Sequence, residues 1–198
     1  APLEAPSGET LLQIDGLWVA LFPKQGGRAP EELDDEQLEQ VGRLIARLHQ
    51  VGSEKSFKQR VVLSPESYGK RNLEFLLGCP LLTPQFRPRY EAAAQSLLEL
   101  LSNFWEVSSP HLLRVHGDCH LGNLLWGKQG AFLVDFDDSV MGPAVQDLWL
   151  LAPGRDPESN RRRELAIESY AQMRNFDRST LHLIEPLRAL RMIHFSAW

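Results

Sequence analysis

A chain of 198 residues makes one large domain, or one lobe with part of another, and its hydrophobic fraction of 43% can supply a core. A formal charge of -5, with no basic tail or stripe, argues against nucleic acid as a partner. Cys79 and Cys119 show neither metal-ligand spacing nor a disulfide framework, which fits a reducing cytoplasm; no stretch reads as a signal peptide or as a bilayer span.

Residues Ala1 to Glu9 are rich in Pro, Gly and Ser and read as an extended lead-in. Thr10 to Ile14 and Leu17 to Phe22 are apolar runs flanking Asp15-Gly16, a strong hairpin signal because a type I′ turn needs positive φ at both central residues. A two-stranded hairpin is marginal alone and leaves edges open to pairing, so this one is expected to be the tail of a larger sheet. Pro23 ends the second strand, and Lys24 to Pro30 is a connector. The chain opens at Ala1 rather than Met and closes at Trp198 inside an apolar helical pattern, so a fragment is expected.

Asp34 or Asp35 can cap a helix running to about Gln50, with Gly52 as its stop and Leu38, Val41, Ile45 and Leu48 on the core face. His49 reads as structural, favoured by the helix C-terminus. Ser53 to Pro88 is loop-rich, with one short helix near Tyr68 to Leu77, and Arg89 to Val107 is a second long helix with Leu97, Leu98, Leu101, Phe104 and Trp105 as core. Leu112 to Val115 leads into the polar loop His116 to Asn123. Leu124 to Trp126 and Ala131 to Val134 then form a hairpin around Gly127 to Gly130. Helices follow at Val145 to Leu151, at about Glu158 to Arg174, and from a cap at Ser179 or Thr180 onward, with Pro186 expected to kink the last. Arg161-Arg162-Arg163 reads as a solvated helix face.

The organising stretch is Val115 to Asp138. Carboxylates and an amide at the ends of apolar strands are costly unless a cation holds them, and the reading here is Mg2+ carrying a nucleotide phosphate. His116-x-Asp118-x4-Asn123 matches a kinase catalytic-loop spacing, with Gly117 where those loops have Arg, and Asp135-Phe136-Asp137 follows a hairpin as the metal-binding Asp-Phe-Gly does. Asp118 would orient and deprotonate the attacking hydroxyl; Asn123 and Asp135 would hold the metal. Taken singly, each has a plainer reading as a loop cap or turn residue. Asp137 is either a second metal-facing acid or a partner for an arginine, and Asp138 a surface turn residue. His116 is expected to be a buried scaffold bonding the backbone near Asp135, while His120 either packs near the phosphates or faces solvent. Asp147 either braces the catalytic loop or makes a helix ion pair. Cys119, beside the presumed base, is a packing residue or a site where oxidation would inhibit.

Two runs, His116-Gly117-Asp118-Cys119-His120-Leu121-Gly122-Asn123 and Val134-Asp135-Phe136-Asp137-Asp138, resemble the aminoglycoside phosphotransferase/choline kinase family. Gly142 to Trp149 and Ile184 to Arg191 are similar to its bacterial stress-response kinases. The resemblance covers nearly the whole chain. It implies an α+β, protein-kinase-like fold: residues 1-23 as the remnant of a small lobe with its hinge, and 24-198 as a mostly helical large lobe, truncated at its C-terminus. By the same resemblance Asp118 and Asp135 are catalytic, Asn123 and Asp135 bind Mg2+, and the Leu21-Phe22 backbone contacts adenine, with His116, Asp137 and Asp147 in support. The implied activity is ATP-dependent phosphorylation of protein Ser/Thr hydroxyls by a cytoplasmic monomer in a stress response, with no membrane or nucleic-acid partner. Asp137 stands where the motif has Gly, no long activation loop follows, and no phosphate-covering loop or phosphate-pairing Lys precedes the hairpin. This piece is therefore expected to bind ATP poorly. The rival readings are a small-molecule kinase on the same fold, a two-metal phosphoesterase suggested by Gly117-Asp118-Cys119-His120 but short of further ligands, and a non-catalytic binding remnant.

Overall fold

The computed structural model describes residues 2–24, 26–80 and 82–198. It opens with an antiparallel hairpin, β1 (Leu12–Ile14) and β2 (Leu17–Val19), in which Leu12 faces Val19 and Ile14 faces Leu17. Asp15 (φ 50°) and Gly16 (φ 81°) both sit in the left-handed region, as the Asp-Gly signal requires. The strands are shorter than the apolar runs that contain them, and much of the hairpin is bare: Leu17 is 70% and Trp18 67% exposed.

The first helix, α1 (Asp35–Gly52), begins with a capping box. Gln37 N donates to Asp34 Oδ1 at 2.8 Å while Asp34 N donates to Gln37 Oε1 at 3.0 Å, so two amides at the helix start are satisfied reciprocally. Leu38, Val41 and Ile45 are fully buried, largely against α5 (Pro157–Ala171). The two helices touch at Gly42, where a Cβ would stand 2.5 Å from the Ala166 carbonyl oxygen. Gly52, expected as the helix stop, is the last helical residue and is buried against the Arg114 carbonyl, so its missing side chain serves a close approach.

A π-helical turn (Pro65–Lys70) runs straight into α2 (Arg71–Gly78), and α3 (Arg87–Ser108) follows. Leu98 and Leu101 are buried and Leu97 and Trp105 half-buried, but Phe104 is 41% exposed, with its ring 5.1 Å from His182. At 3.6 residues per turn Phe104 lies roughly 120° around the helix from Leu98, off the core face. Then come β3 (Leu113–Val115), β4 (Leu124–Gly127), β5 (Gly130–Leu133) and β6 (Val140–Gly142). The β4–β5 hairpin is the one anticipated. The antiparallel β3–β6 pair is not, because three-residue strands drawn from distant stretches leave no local periodicity.

The rest is helical: α4 (Val145–Trp149), α5, a 3-10 turn (Arg178–Leu183) and α6 (Ile184–Ala197). Asp177, not Ser179 or Thr180, caps that turn, its Oδ1 accepting from Ser179 N at 3.0 Å. Pro186 falls in the first turn of α6, where an amide has no intrahelical acceptor, so it helps start the helix and has no bond to break. The three arginines are not simply solvated. Arg161 pairs with Asp35 and Glu158, Arg162 donates to the Leu33 carbonyl at 2.8 Å, and Arg163 donates to the carbonyls of Ala152 (2.5 Å) and Gly154 (3.2 Å). Among the described residues no helix is long and apolar enough to cross a membrane.

Candidate active site

The loop between β3 and β4 hangs on one buried carboxylate. The β6 strand delivers the chain into α4, and α4 places Asp147, fully buried, beneath the loop. Its Oδ2 accepts from His116 N at 2.8 Å and its Oδ1 from Gly117 N at 2.8 Å. Oδ2 also lies 2.9 Å from His49 Nε2, and His49 Nδ1 lies 3.1 Å from the Tyr170 hydroxyl. A carboxylate only accepts, so His49 carries its proton on Nε2 and, when neutral, accepts from Tyr170 at Nδ1. Burial pushes the Tyr170 hydroxyl up to about 12, in keeping with a donor that stays protonated. Asp147 therefore braces the loop, and His49 is structural because it holds Asp147. Gln146 adds a bond from Nε2 to the Gly117 carbonyl at 2.7 Å and is itself held by Trp149 Nε1 at 3.2 Å.

Gly117 has φ 88°, and a Cβ there would collide with the Asp138 carbonyl oxygen. This explains why glycine stands where the kinase spacing has arginine. His116 is fully buried, its Nε2 2.9 Å from the Val134 carbonyl and its ring 4.7 Å from that of Phe136. It ties the loop to the end of β5 next to Asp135, as expected of a scaffold residue.

Asp118 projects from this platform with its side chain 11% exposed. Arg191 Nη1 of α6 lies 2.6 Å from Oδ1, a charge contact without hydrogen-bond alignment, so Oδ1 is a buried oxygen that accepts no hydrogen bond among the described residues. Oδ2 lies 3.3 Å from His120 Nε2 and accepts from Asn123 Nδ2 at 3.4 Å. Asn123 Nδ2 also donates to the Asp118 carbonyl at 3.0 Å, so the amide nitrogen turns inward and its Oδ1 has no hydrogen-bond partner among the described residues. His120 thus packs against the carboxylate, with Nδ1 accepting from Gly122 N at 2.9 Å. Cys119 is fully buried; burial, then the charges of Asp147 and Asp118, push its thiol well above the usual range, which favours the packing reading.

The hairpin's open end meets the loop. Val134 N donates to the Asn123 carbonyl at 3.0 Å, which sets Asn123 beside the residue preceding Asp135. Asp135 is exposed and holds φ 61°, in the left-handed region. Among the described residues, none of Asp135, Asp137 and Asp138 makes an ion pair. Asp137 contributes its backbone carbonyl to Arg60 while its carboxylate stays free, and Asp138, read as a surface turn residue, is partly buried and lines a small cavity with Asp118 and Arg191.

No three His, Cys, Asp or Glu side chains among the described residues form a metal-holding group. Mg2+ does not need one: it keeps several waters and takes one or two protein oxygens beside phosphate. The free Asn123 amide oxygen and the unpaired Asp135 carboxylate fit that donor set. Leu21 and Phe22 are 61% and 65% exposed and take no part in this network; the Leu21 carbonyl already accepts from Leu3 N at 2.7 Å. The sequence does not mark Arg191, His49 or Tyr170 as site residues. Only the helical run Ile184 to Arg191 points near the first, and nothing local ties the other two to the loop.

Comparison with known proteins gives a consistent picture. The family model described as Phosphotransferase enzyme family matches residues 2–184. Stress response kinase A of Escherichia coli (strain K12) is 37% identical over 200 residues, covering 100% of this chain and 60% of the relative. Serine/threonine protein kinase RdoA of Salmonella typhimurium is 38% identical with the same coverages, so the chain spans about 60% of the length of these curated relatives. Among solved structures, amicoumacin kinase hAmiN in complex with AMP-PNP, Ca2+ and Ami superposes with a TM-score of 0.73 at 17% identity, covering 99% of this chain and 63% of that one. A microcompartment-associated aminopropanol kinase gives 0.65 at 20% identity, covering 100% and 66%. These two likenesses establish the kinase-like α+β fold.

Proposed function

This chain belongs to the phosphotransferase enzyme family, and from that premise we propose that it forms the metal- and acceptor-binding lobe of a kinase that moves the γ-phosphoryl group of ATP to a Ser or Thr hydroxyl of a protein. The observation that carries the reading is the Asp118–Asn123 pair: a nearly buried carboxylate with one oxygen free of hydrogen bonds, locked to an amide whose own oxygen is left over.

In this scheme the acceptor hydroxyl approaches Asp118, which orients it and takes its proton as the oxygen–phosphorus bond forms and the bond to the β-phosphate oxygen breaks, releasing ADP. Asn123 and Asp135 would hold Mg2+, whose contribution when bound is to neutralise charge on the phosphate oxygens. Asp147 and His116 fix the loop so that Asp118 does not have to be ordered at each turnover. The relative named a serine/threonine protein kinase favours a protein acceptor. The relatives named stress response kinase favour that cellular role, and the cytoplasm is the fitting compartment for a chain with free cysteines. The fold neighbours named for small molecules keep a small alcohol as the second reading. Residues 1–23, with their bare apolar hairpin, are read as the trailing edge and hinge of a small lobe, and 24–198 as the large lobe; Leu21 and Phe22 are then the adenine contact.

The test is transfer from labelled ATP by the full-length protein to a generic protein substrate and to a panel of small alcohols. Asp118→Ala and Asp135→Ala are each expected to lower transfer by about 10²-fold or more. Retained transfer in both variants overturns the assignment. The 198-residue chain should bind Mg-ATP more weakly than the full-length protein, and equal affinity would count against the lobe division.

A further inference from the structure

Arg191 stands where the acceptor would have to be. The cleft between the catalytic loop and α6, walled by Tyr68, Gly117, Asp118, Asp138, Arg191 and His194, contains a cavity of only about 10 Å³. That is the space of one water at most. The guanidinium closes it by contacting Asp118 Oδ1 at 2.6 Å, with Cζ 4.1 Å from the centroid of the Phe195 ring. A hydroxyl can reach Oδ1 from this side only when Arg191 withdraws. Its side chain is 26% exposed and Phe195 is 40% exposed, so there is an aromatic shelf for the guanidinium and an opening toward solvent.

A partly desolvated guanidinium released from its carboxylate needs another anion. The other basic side chain on these walls supplies no competing charge. His194 stacks on Tyr68 at 4.1 Å and receives Asn72 Nδ2 at Nδ1 at 3.0 Å, and burial lowers its affinity for a proton. From this we infer that Arg191 is a specificity-determining residue of the phosphoryl-transfer site, exchanging Asp118 for an anionic group placed beside the acceptor hydroxyl and so selecting acidic over basic acceptors. The inference rests on the kinase reading above. It predicts that a carboxylate or phosphate next to the hydroxyl is favoured, whether on a peptide or on a small alcohol.

The experiment uses the full-length protein and two peptides identical except for Asp or Lys next to the single Ser, with glycerate and ethanolamine as the small-alcohol pair. Wild type should prefer the acidic member by at least about tenfold in kcat/KM, the contribution of one charge-assisted hydrogen bond. Preference within the peptide pair identifies a protein source, and preference confined to the small pair a metabolite source. Arg191→Gln should reduce the preference to under about threefold, chiefly by raising KM for the acidic acceptor, and Arg191→Lys should restore part of it. An unchanged preference in Arg191→Gln overturns the inference. So does an equal loss on acidic and basic acceptors, which would mean that Asp138 takes up the guanidinium or that Arg191 only holds the fold. If wild type transfers to no acceptor at all, the kinase reading fails by itself. Arg191 is then judged by anisotropy of the labelled peptides with Ala for Ser: acidic-peptide binding lost in Arg191→Gln supports it, and equal binding of both peptides to wild type sinks it.

Discussion

Replacing Asp147 should be among the most damaging single changes in this chain, and the structure supplies the magnitude. Its carboxylate accepts from three donors at 2.8, 2.8 and 2.9 Å, all in a fully buried setting. Asp147→Ala strands two backbone N–H groups and the His49 ring; at about 1–3 kcal/mol for each unsatisfied buried group, a loss of roughly 4 kcal/mol is expected. Asp147→Asn keeps one acceptor oxygen, and His49 can change tautomer to accept from the new amide. One loop N–H then faces another N–H, for a cost of about 2 kcal/mol. Against a typical total of about 5–15 kcal/mol, the alanine variant should be visibly fragile. Urea unfolding followed by tryptophan fluorescence reads this directly, since Trp149 is buried two positions away. The midpoint should fall in the order wild type, Asn, Ala, at unchanged slope. An alanine variant within about 1 kcal/mol of wild type would refute the claim that this carboxylate holds the loop.

Two further outcomes follow from the same geometry. Gly117→Ala must place a Cβ against the Asp138 carbonyl at φ 88°, so a destabilisation of about 2 kcal/mol or more is expected by the same unfolding assay, and a wild-type midpoint would contradict it. Tyr68 and Tyr170 are both raised to about 12, chiefly by burial, so between pH 10 and 12 the unfolded chain gives up phenolic protons that the folded chain keeps. Stability is therefore present below pH 10 and lost as pH rises through that window. The melting temperature should drop there, and Tyr68→Phe should flatten part of the drop.

Features set by neighbours in the chain are legible in the sequence. Asp15-Gly16 specifies its turn, Asp34 or Asp35 a cap, and the spacing of His116, Asp118 and Asn123 its loop, because each is a matter of a few adjacent dihedrals and donors; that Asp34 is the cap and Gln37 its reciprocal partner comes from the structure. Features set by distant partners are not. The β6 strand exists only because β3 lies beside it, and Arg191 matters only because α6 folds back over Asp118. His49 illustrates the boundary: a role at a helix end could be read from position, but its partners Asp147 and Tyr170 come from two other helices. Phe104 shows that apolar composition alone does not set facing: the helical phase turns it outward.

Asp135 keeps a left-handed backbone without being glycine, a posture that costs an ordinary side chain about 1 kcal/mol and that Asp tolerates better than most. Under the metal-holding role proposed for Asp135, heat resistance and usefulness therefore pull in opposite directions at this position. A library screened only for surviving temperature should drift toward glycine there, gaining robustness while discarding the carboxylate, so durability alone would be a misleading guide to which descendants of this protein still work.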